Sequence, residues 1–159
     1  MEYISHYNSP LGGITITADD KGITGLWFDR QKYFGDIKGS TERDVEYLSE
    51  ARKWLDIYFG GQAPDFTPPL SLSGSEFRKS VARIMLGIPF GQTMTYGEIA
   101  AMISPKMAAQ AVGGAVGHNP IGLIIPCHRV MGAGGKLTGY GGGLDRKQWL
   151  LEHERRIIS

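Results

Sequence analysis

The chain carries a single cysteine, in the segment Ile124-Ile125-Pro126-Cys127-His128-Arg129-Val130. A thiol beside an imidazole has the parts of a nucleophile and its base. The thiolate is the reactive form, and a free cysteine with pKa about 8.5 is mostly protonated at neutral pH, so a nearby proton acceptor matters. Pro126 fixes the backbone just before the thiol. His128 and Arg129 are too polar to continue a core strand. Neighbours on an extended strand point to opposite faces, so His128 assists Cys127 only if the chain turns there. The competing reading is a buried core thiol beside a structural histidine, and residue types alone leave both standing. Glu154, in Leu150-Leu151-Glu152-His153-Glu154, is a candidate to orient the imidazole; the plainer reading is a solvated helix charge.

One cysteine excludes an internal disulfide and leaves no thiolate zinc site, so no metal is expected. It fits a reducing compartment, and the expected location is cytoplasmic. No apolar run approaches the roughly 20 residues of a membrane helix, and Met1-Glu2-Tyr3 opens no secretory signal, so no membrane partner is expected. The net charge of +1 is unevenly spread. Residues 1–75 hold 7 Lys/Arg against 11 Asp/Glu, and residues 76–159 hold 10 against 5, giving −4 and +5. A basic C-terminal half suits a polyanionic partner, although scattered surface charge produces a similar difference.

The elements that must position Cys127 follow from periodicity. Ile14-Thr15-Ile16-Thr17 alternates, Ile23 to Phe28 is a second apolar run, and Asp19-Asp20-Lys21-Gly22 between them is turn chemistry. This predicts a hairpin, with Tyr3 to Tyr7 as a further strand. Val45, Leu48, Arg52, Leu55 and Phe59 recur at three- and four-residue steps before Gly60-Gly61, predicting a helix over Glu42 to Phe59. Gln62 to Ser75, rich in Pro, Ser and Thr, reads as a linker. Two domains are therefore expected, 1–72 and 73–159. In the second, Phe77, Val81, Ile84 and Met85 mark a helix ending at Gly87. Thr95-Tyr96-Gly97-Glu98 fits a capping box, so a helix starts at Tyr96. Ser104-Pro105 is a second start signal, for a helix running to about Gly117. Two short helices across a tight turn suggest a helix-turn-helix. Of the 33 residues from Ala111 to Gly143, 11 are glycine. A last helix, Asp145 to Arg156, closes the pattern. The fold class is α+β: a small N-terminal sheet and helix, then a mostly helical part.

Pro126-Cys127-His128-Arg129-Val130 resembles the active-site signature of the O6-alkylguanine-DNA alkyltransferases. Tyr96-Gly97-Glu98-Ile99-Ala100, Ala111-Val112-Gly113-Gly114-Ala115, Asn119-Pro120, Thr138-Gly139-Tyr140 and Lys147-Gln148-Trp149-Leu150-Leu151 follow the family's order and spacing. The likeness is strong over about 76–156. It is looser over the first 70 residues, mainly through Ser9-Pro10-Leu11-Gly12.

The resemblance implies a winged helix-turn-helix-like DNA-binding element and a single-turnover methyltransferase. Cys127 would irreversibly accept the alkyl group of O6-alkylguanine, with O4-alkylthymine a candidate second lesion. His128, through a water, would take the thiol proton, with Glu154 holding the imidazole and Asn119 tying the adjoining turns. Tyr96 would protonate the leaving guanine near N3. The carbonyls of Cys127 and Val130 would read the exocyclic amine. Tyr140 and Gly141 would form a lid, supported by Lys147. The partner would be double-stranded DNA, bound through the minor groove by Thr95, Ala109, Gln110, Gly113 and Arg129, with the base flipped out. The protein would act as a monomer and without a cofactor, because the DNA is the alkyl donor.

Three positions depart from the family's pattern. Gln110 stands where an arginine usually fills the gap left by the flipped base. His118 stands near a second usual arginine, and Gly141 where serine is common. Two other functions compete. One is a lesion-binding module that recruits other repair proteins, whose members commonly carry tryptophan in place of the cysteine. The other is a cysteine hydrolase, for which no oxyanion-hole motif is evident and in which nucleophile and base are rarely neighbours.

Overall fold

The computed structural model describes residues 2–31, 37, 39–43 and 45–158. Strands β1 (Tyr3–Ser9), β2 (Gly12–Ala18) and β3 (Ile23–Phe28) form an antiparallel meander, and β4 (Thr41–Glu42) adds to β1 in parallel. The sheet order is β3-β2-β1-β4. The alternation at Ile14–Thr17 has its predicted cause: Ile14 and Ile16 join the main core, while Thr15 and Thr17 on the opposite face bond to Asp29 and Thr24. The turn before β3 is held by Asp19 Oδ1, which accepts from the amides of Lys21 and Gly22.

Helix α1 (Glu46–Phe59) buries Leu48, Ala51, Trp54, Leu55 and Tyr58. It begins later than the predicted Glu42, because Glu42 belongs to β4 and Val45 is the N-cap; Asp44 of the predicted first turn lies outside the described residues. Arg52, predicted on the apolar face, instead donates to Ser5 Oγ at 2.7 Å.

The predicted linker is not free. Ile23 N donates to the Pro69 carbonyl and Ser71 N to the Ile23 carbonyl, each at 2.8 Å, so residues 69–71 run beside β3. Further along the same edge Leu26 N donates to Pro120 O and Gly122 N to Leu26 O. The N-terminal sheet therefore also holds the segment that leads to Cys127. One buried cluster draws on both halves, from Ile14 and Leu48 through Val81 and Val112 to Cys127 and Leu150.

Helices α2 (Glu76–Leu86), α3 (Tyr96–Ile103), α4 (Ala109–Gly117) and α5 (Leu144–Ile158) make up the C-terminal half. The capping box forms as predicted: Thr95 Oγ1 accepts from Glu98 N, and Glu98 Oε1 accepts from Thr95 N. The helix predicted from Pro105 starts at Ala109. Ser104 ends α3 with extended backbone, and its side chain accepts from Lys106 N in a local turn instead of capping a new helix. β5 (Met94–Thr95) pairs in parallel with β6 (Val130–Met131), which fastens the start of α3 to the residues just after Cys127.

Candidate active site

Cys127, His128 and Arg129 form a single 3-10 turn, so the chain bends where assistance of the thiol by His128 requires it. Asn119 organises the approach. Its Nδ2 donates to the carbonyls of Ile121 (3.3 Å) and Ile125 (3.0 Å), and its Oδ1 accepts from Ile121 N. Burial raises the Cys127 pKa, opposed by a hydrogen bond from Asn119 and the positive charge of Lys147. The resting thiol is protonated.

His128 is fully buried, with Nε2 2.5 Å from Glu154 Oε2. The carboxylate fixes the tautomer: Nε2 carries the proton and Nδ1 keeps its lone pair. Nδ1 has no hydrogen-bond partner among the described residues. Burial lowers the His128 pKa despite the bond and charge of Glu154, so the ring is neutral and Nδ1 is ready to accept.

Glu154 is 1% exposed and receives four donors. These are His128 Nε2, Arg129 Nε (2.8 Å), Tyr58 Oη (2.7 Å) and Gly91 N (3.0 Å). Burial alone would raise its pKa, but the bonds from His128 and Arg129 and the Arg129 charge outweigh it and hold the group ionised. The solvated reading of Glu154 is thereby excluded.

Arg129 corrects an expectation. The resemblance implies a place for it on the DNA face, yet it is 7% exposed. It bonds Glu154 Oε1 and the Ile88 carbonyl and lies over the Phe90 ring. A buried carboxylate needs a permanent cation, and Arg129 supplies it. Tyr58 was missed altogether. It reads in sequence as one more apolar position of α1, and its hydroxyl meets Glu154 only through the packing of the two halves.

Cys127, Asn119, Tyr140, Gly141, Gly139 and Gln31 line one cavity of about 20 Å³. That is room on the order of one water. Lys147, fully buried, donates to the carbonyls of Val130 (2.6 Å) and Thr138 (3.2 Å), joining the Cys127 segment to the base of the glycine-rich stretch. Burial lowers the Lys147 pKa and raises that of Tyr140. Tyr96 Oη accepts from Thr138 Oγ1 at 3.1 Å, which leaves its own proton for another acceptor.

On α4, Ala109 and Gln110 are exposed. A Cβ at Gly113 would come no closer than 4.0 Å, to Tyr96, and at Gly114 or Gly117 it would meet nothing within 4 Å. Packing inside the chain therefore does not require these glycines. Thr95 is committed as an N-cap acceptor, and its hydroxyl proton remains available. Among the described residues no cluster suited to a metal ion occurs, and no helix is long and apolar enough to cross a membrane.

A sole thiol thus lies at the wall of a small cavity beside a neutral imidazole held by a buried carboxylate, in the same half as an exposed two-helix element. Residues 76–156 match the profile of the 6-O-methylguanine DNA methyltransferase DNA-binding domain, and residues 3–72 that of the same family's ribonuclease-like domain. The chain belongs to the 6-O-methylguanine DNA methyltransferase family.

It is 48% identical over 149 residues to the methylated-DNA–protein-cysteine methyltransferase of Mycolicibacterium paratuberculosis, covering 94% of this chain and 90% of that protein. It is 43% identical to the Methanosarcina acetivorans protein of the same name, covering 96% and 97%. In structure it resembles Mycobacterium tuberculosis OGT in complex with DNA, with TM-score 0.89, 42% identity and coverage of 98% and 94%. It also resembles the O6-methylguanine-DNA methyltransferase of Pyrococcus kodakaraensis, with TM-score 0.69, 26% identity and coverage of 97% and 99%.

Proposed function

We propose that this protein repairs DNA by moving the alkyl group of O6-alkylguanine onto Cys127, once per molecule. The observation that carries the reading is the pairing of the chain's only thiol with a neighbouring imidazole whose Nε2 is fixed on Glu154 and whose Nδ1 is left unpartnered. His128 Nδ1 takes the thiol proton, directly or through a water. The thiolate sulfur attacks the alkyl carbon, the carbon–O6 bond breaks, and a thioether forms. Guanine leaves with its electron pair and takes a proton from Tyr96. The proton removed from Cys127 balances the one guanine gains once Tyr96 is reprotonated. The alkyl donor is the DNA itself, so no cofactor takes part.

The partner is double-stranded DNA. The exposed α4 surface of Ala109 and Gln110, with Gly113, Gly114 and Gly117 unrequired by internal packing, supports close approach to the minor groove. The target base is flipped into the site at a cost of a few kcal/mol. Gln110 fills part of the gap it leaves. The Cys127 and Val130 carbonyls read the exocyclic amine, and Gly141 N–H faces O6 below Tyr140. The protein acts as a monomer in the cytoplasm, and the units 1–72 and 73–159 serve as brace and reaction domain.

The test is a repair titration without added cofactor. Duplex carrying O6-methylguanine should lose its lesion in proportion to protein, levelling at one lesion per molecule. Continued turnover, or binding without loss of the lesion, would contradict the reading.

A further inference from the structure

The glycine-rich segment lines the cavity beside Cys127 through Gly139, Tyr140, Gly141 and Gly142. Besides the bonds from Lys147 and to Tyr96 at its start, this segment has a contact with the N-terminal sheet. Arg146, in the first turn of α5, donates from Nη1 to the Gly142 carbonyl and from Nε to the Leu11 carbonyl, each at 3.1 Å. Its guanidinium carbon lies 4.6 Å from the centre of the Phe28 ring of β3. One side chain thus grips the lid, the β1–β2 turn and β3 together.

Both ends of this grip are built for it. A Cβ on Gly142 would come 2.9 Å from Phe28 and 2.7 Å from the Tyr140 ring, so only glycine lets the lid lie this close to the sheet. At the other end Ser9 Oγ donates to Gly12 O at 2.7 Å and accepts from Leu11 N at 3.1 Å, which fixes the Leu11 carbonyl. Gly12 supplies the left-handed φ of +108° that the turn needs. The Ser9-Pro10-Leu11-Gly12 motif, otherwise without a role in the reaction, is the anchorage.

We infer that Arg146 is a positioning residue that straps the glycine-rich lid to the N-terminal sheet and so sets how firmly the lid closes over Cys127. Its consequence for the reaction rests on the alkyl-transfer reading above; its effect on the lid does not. A residue that merely joined the two halves would alter global stability without selectively loosening residues 138–143.

The experiment compares full-length wild type, Arg146→Met and Arg146→Lys. Met keeps a stem over Phe28 but donates no hydrogen bond; Lys keeps the charge and serves at most one carbonyl well. The readings are amide hydrogen exchange of 138–143, alkylation of Cys127 by iodoacetamide, and single-turnover transfer at saturating alkylated duplex. In Arg146→Met, lid exchange and thiol labelling should rise about tenfold, the loss expected from charge-assisted hydrogen bonds. Exchange in α1 and β2 should stay near wild type, and saturating transfer should fall several-fold. Arg146→Lys should lie between, and it decides the question if the Met variant does not fold. Lid exchange and labelling at wild-type levels in the folded variants would overturn the strap. Loosened lids with unchanged transfer would overturn its part in closure. If wild type transfers nothing while the lid still responds, the strap stands and the alkyl-transfer reading falls.

Discussion

Tyr58 Oη donates to Glu154 Oε2 at 2.7 Å, the same oxygen that faces His128 Nε2 at 2.5 Å. A helix of the N-terminal half thereby takes part in fixing the imidazole beside Cys127. Tyr58 is fully buried, stacks on Trp54 and meets the His128 ring edge-on. Its burial raises the phenol pKa, as does the adjacent carboxylate, so it remains a donor. Tyr58→Phe keeps the packing and removes one bond to a buried charge. It should lower unfolding free energy by about 1.5–3 kcal/mol in urea titrations, with transfer slowed less than tenfold. Unchanged stability would show that Glu154 does not depend on this donor.

Stability should fall on acidification in two steps. Burial depresses the His128 pKa below its ordinary 6.5. The unfolded chain gains that proton below about pH 6.5 while the folded chain does not, so stability is lost there at up to about 1.4 kcal/mol per pH unit. Glu154 is held well below its ordinary 4.5, so its contribution is present above that value and drains away below it. Urea unfolding at pH 7, 6 and 5 measures the first step. His128→Asn should be less stable overall but flatter over this range; an equal slope in the variant would contradict the buried neutral imidazole.

Much of this site was legible in the sequence, and the parts that were not have physical reasons. The capping box at Thr95–Glu98 is a local signal, and it was read correctly because both partners lie within one turn. Ser104-Pro105 carries an equally local signal, yet the serine closed a turn of its own. Cys127 and His128 stand out as residue types, whereas Glu154 reads more plainly as a solvated charge; the turn at Cys127 and the packing of α5 join the three. The role the resemblance implies for Arg129 fails because the buried charge it neutralises lies 25 residues away, beyond any local pattern. Tyr58 and Arg146 act through contacts spanning 96 and 135 residues, which no local pattern encodes.

Tyr96 lies at the start of α3, its hydroxyl accepting from Thr138 and keeping its own proton. Tyr96→Phe should slow transfer about 10²–10⁴-fold at saturating duplex, the range of general-acid effects, with duplex affinity nearly unchanged. Stopped transfer reactions of both proteins on the same oligonucleotide decide it; equal rates would remove Tyr96 from the acid role.

Gln110 is exposed on α4; in the proposed docking an arginine there would both stack into the gap and attract phosphates. Gln110→Arg should tighten duplex binding and speed repair at low protein concentration. If the new charge meets a phosphate, the log–log salt dependence should steepen by up to about one unit. Reaction with the free alkylated base should hardly change. Fluorescence titrations at several salt concentrations read the slope; unaltered affinity, slope and repair rate would mean that residue 110 does not face the flipped-base gap.

The central claim is that the single thiol is the acceptor. Wild type and Cys127→Ala are each mixed with duplex containing O6-methylguanine, and the digested peptides are weighed by mass spectrometry. The peptide carrying Cys127 should gain the mass of one methylene, a methyl replacing the thiol hydrogen, as the lesion becomes guanine; Cys127→Ala should gain nothing and leave the lesion intact. Lesion loss with Cys127→Ala, or a methyl group on any other residue, would contradict the account.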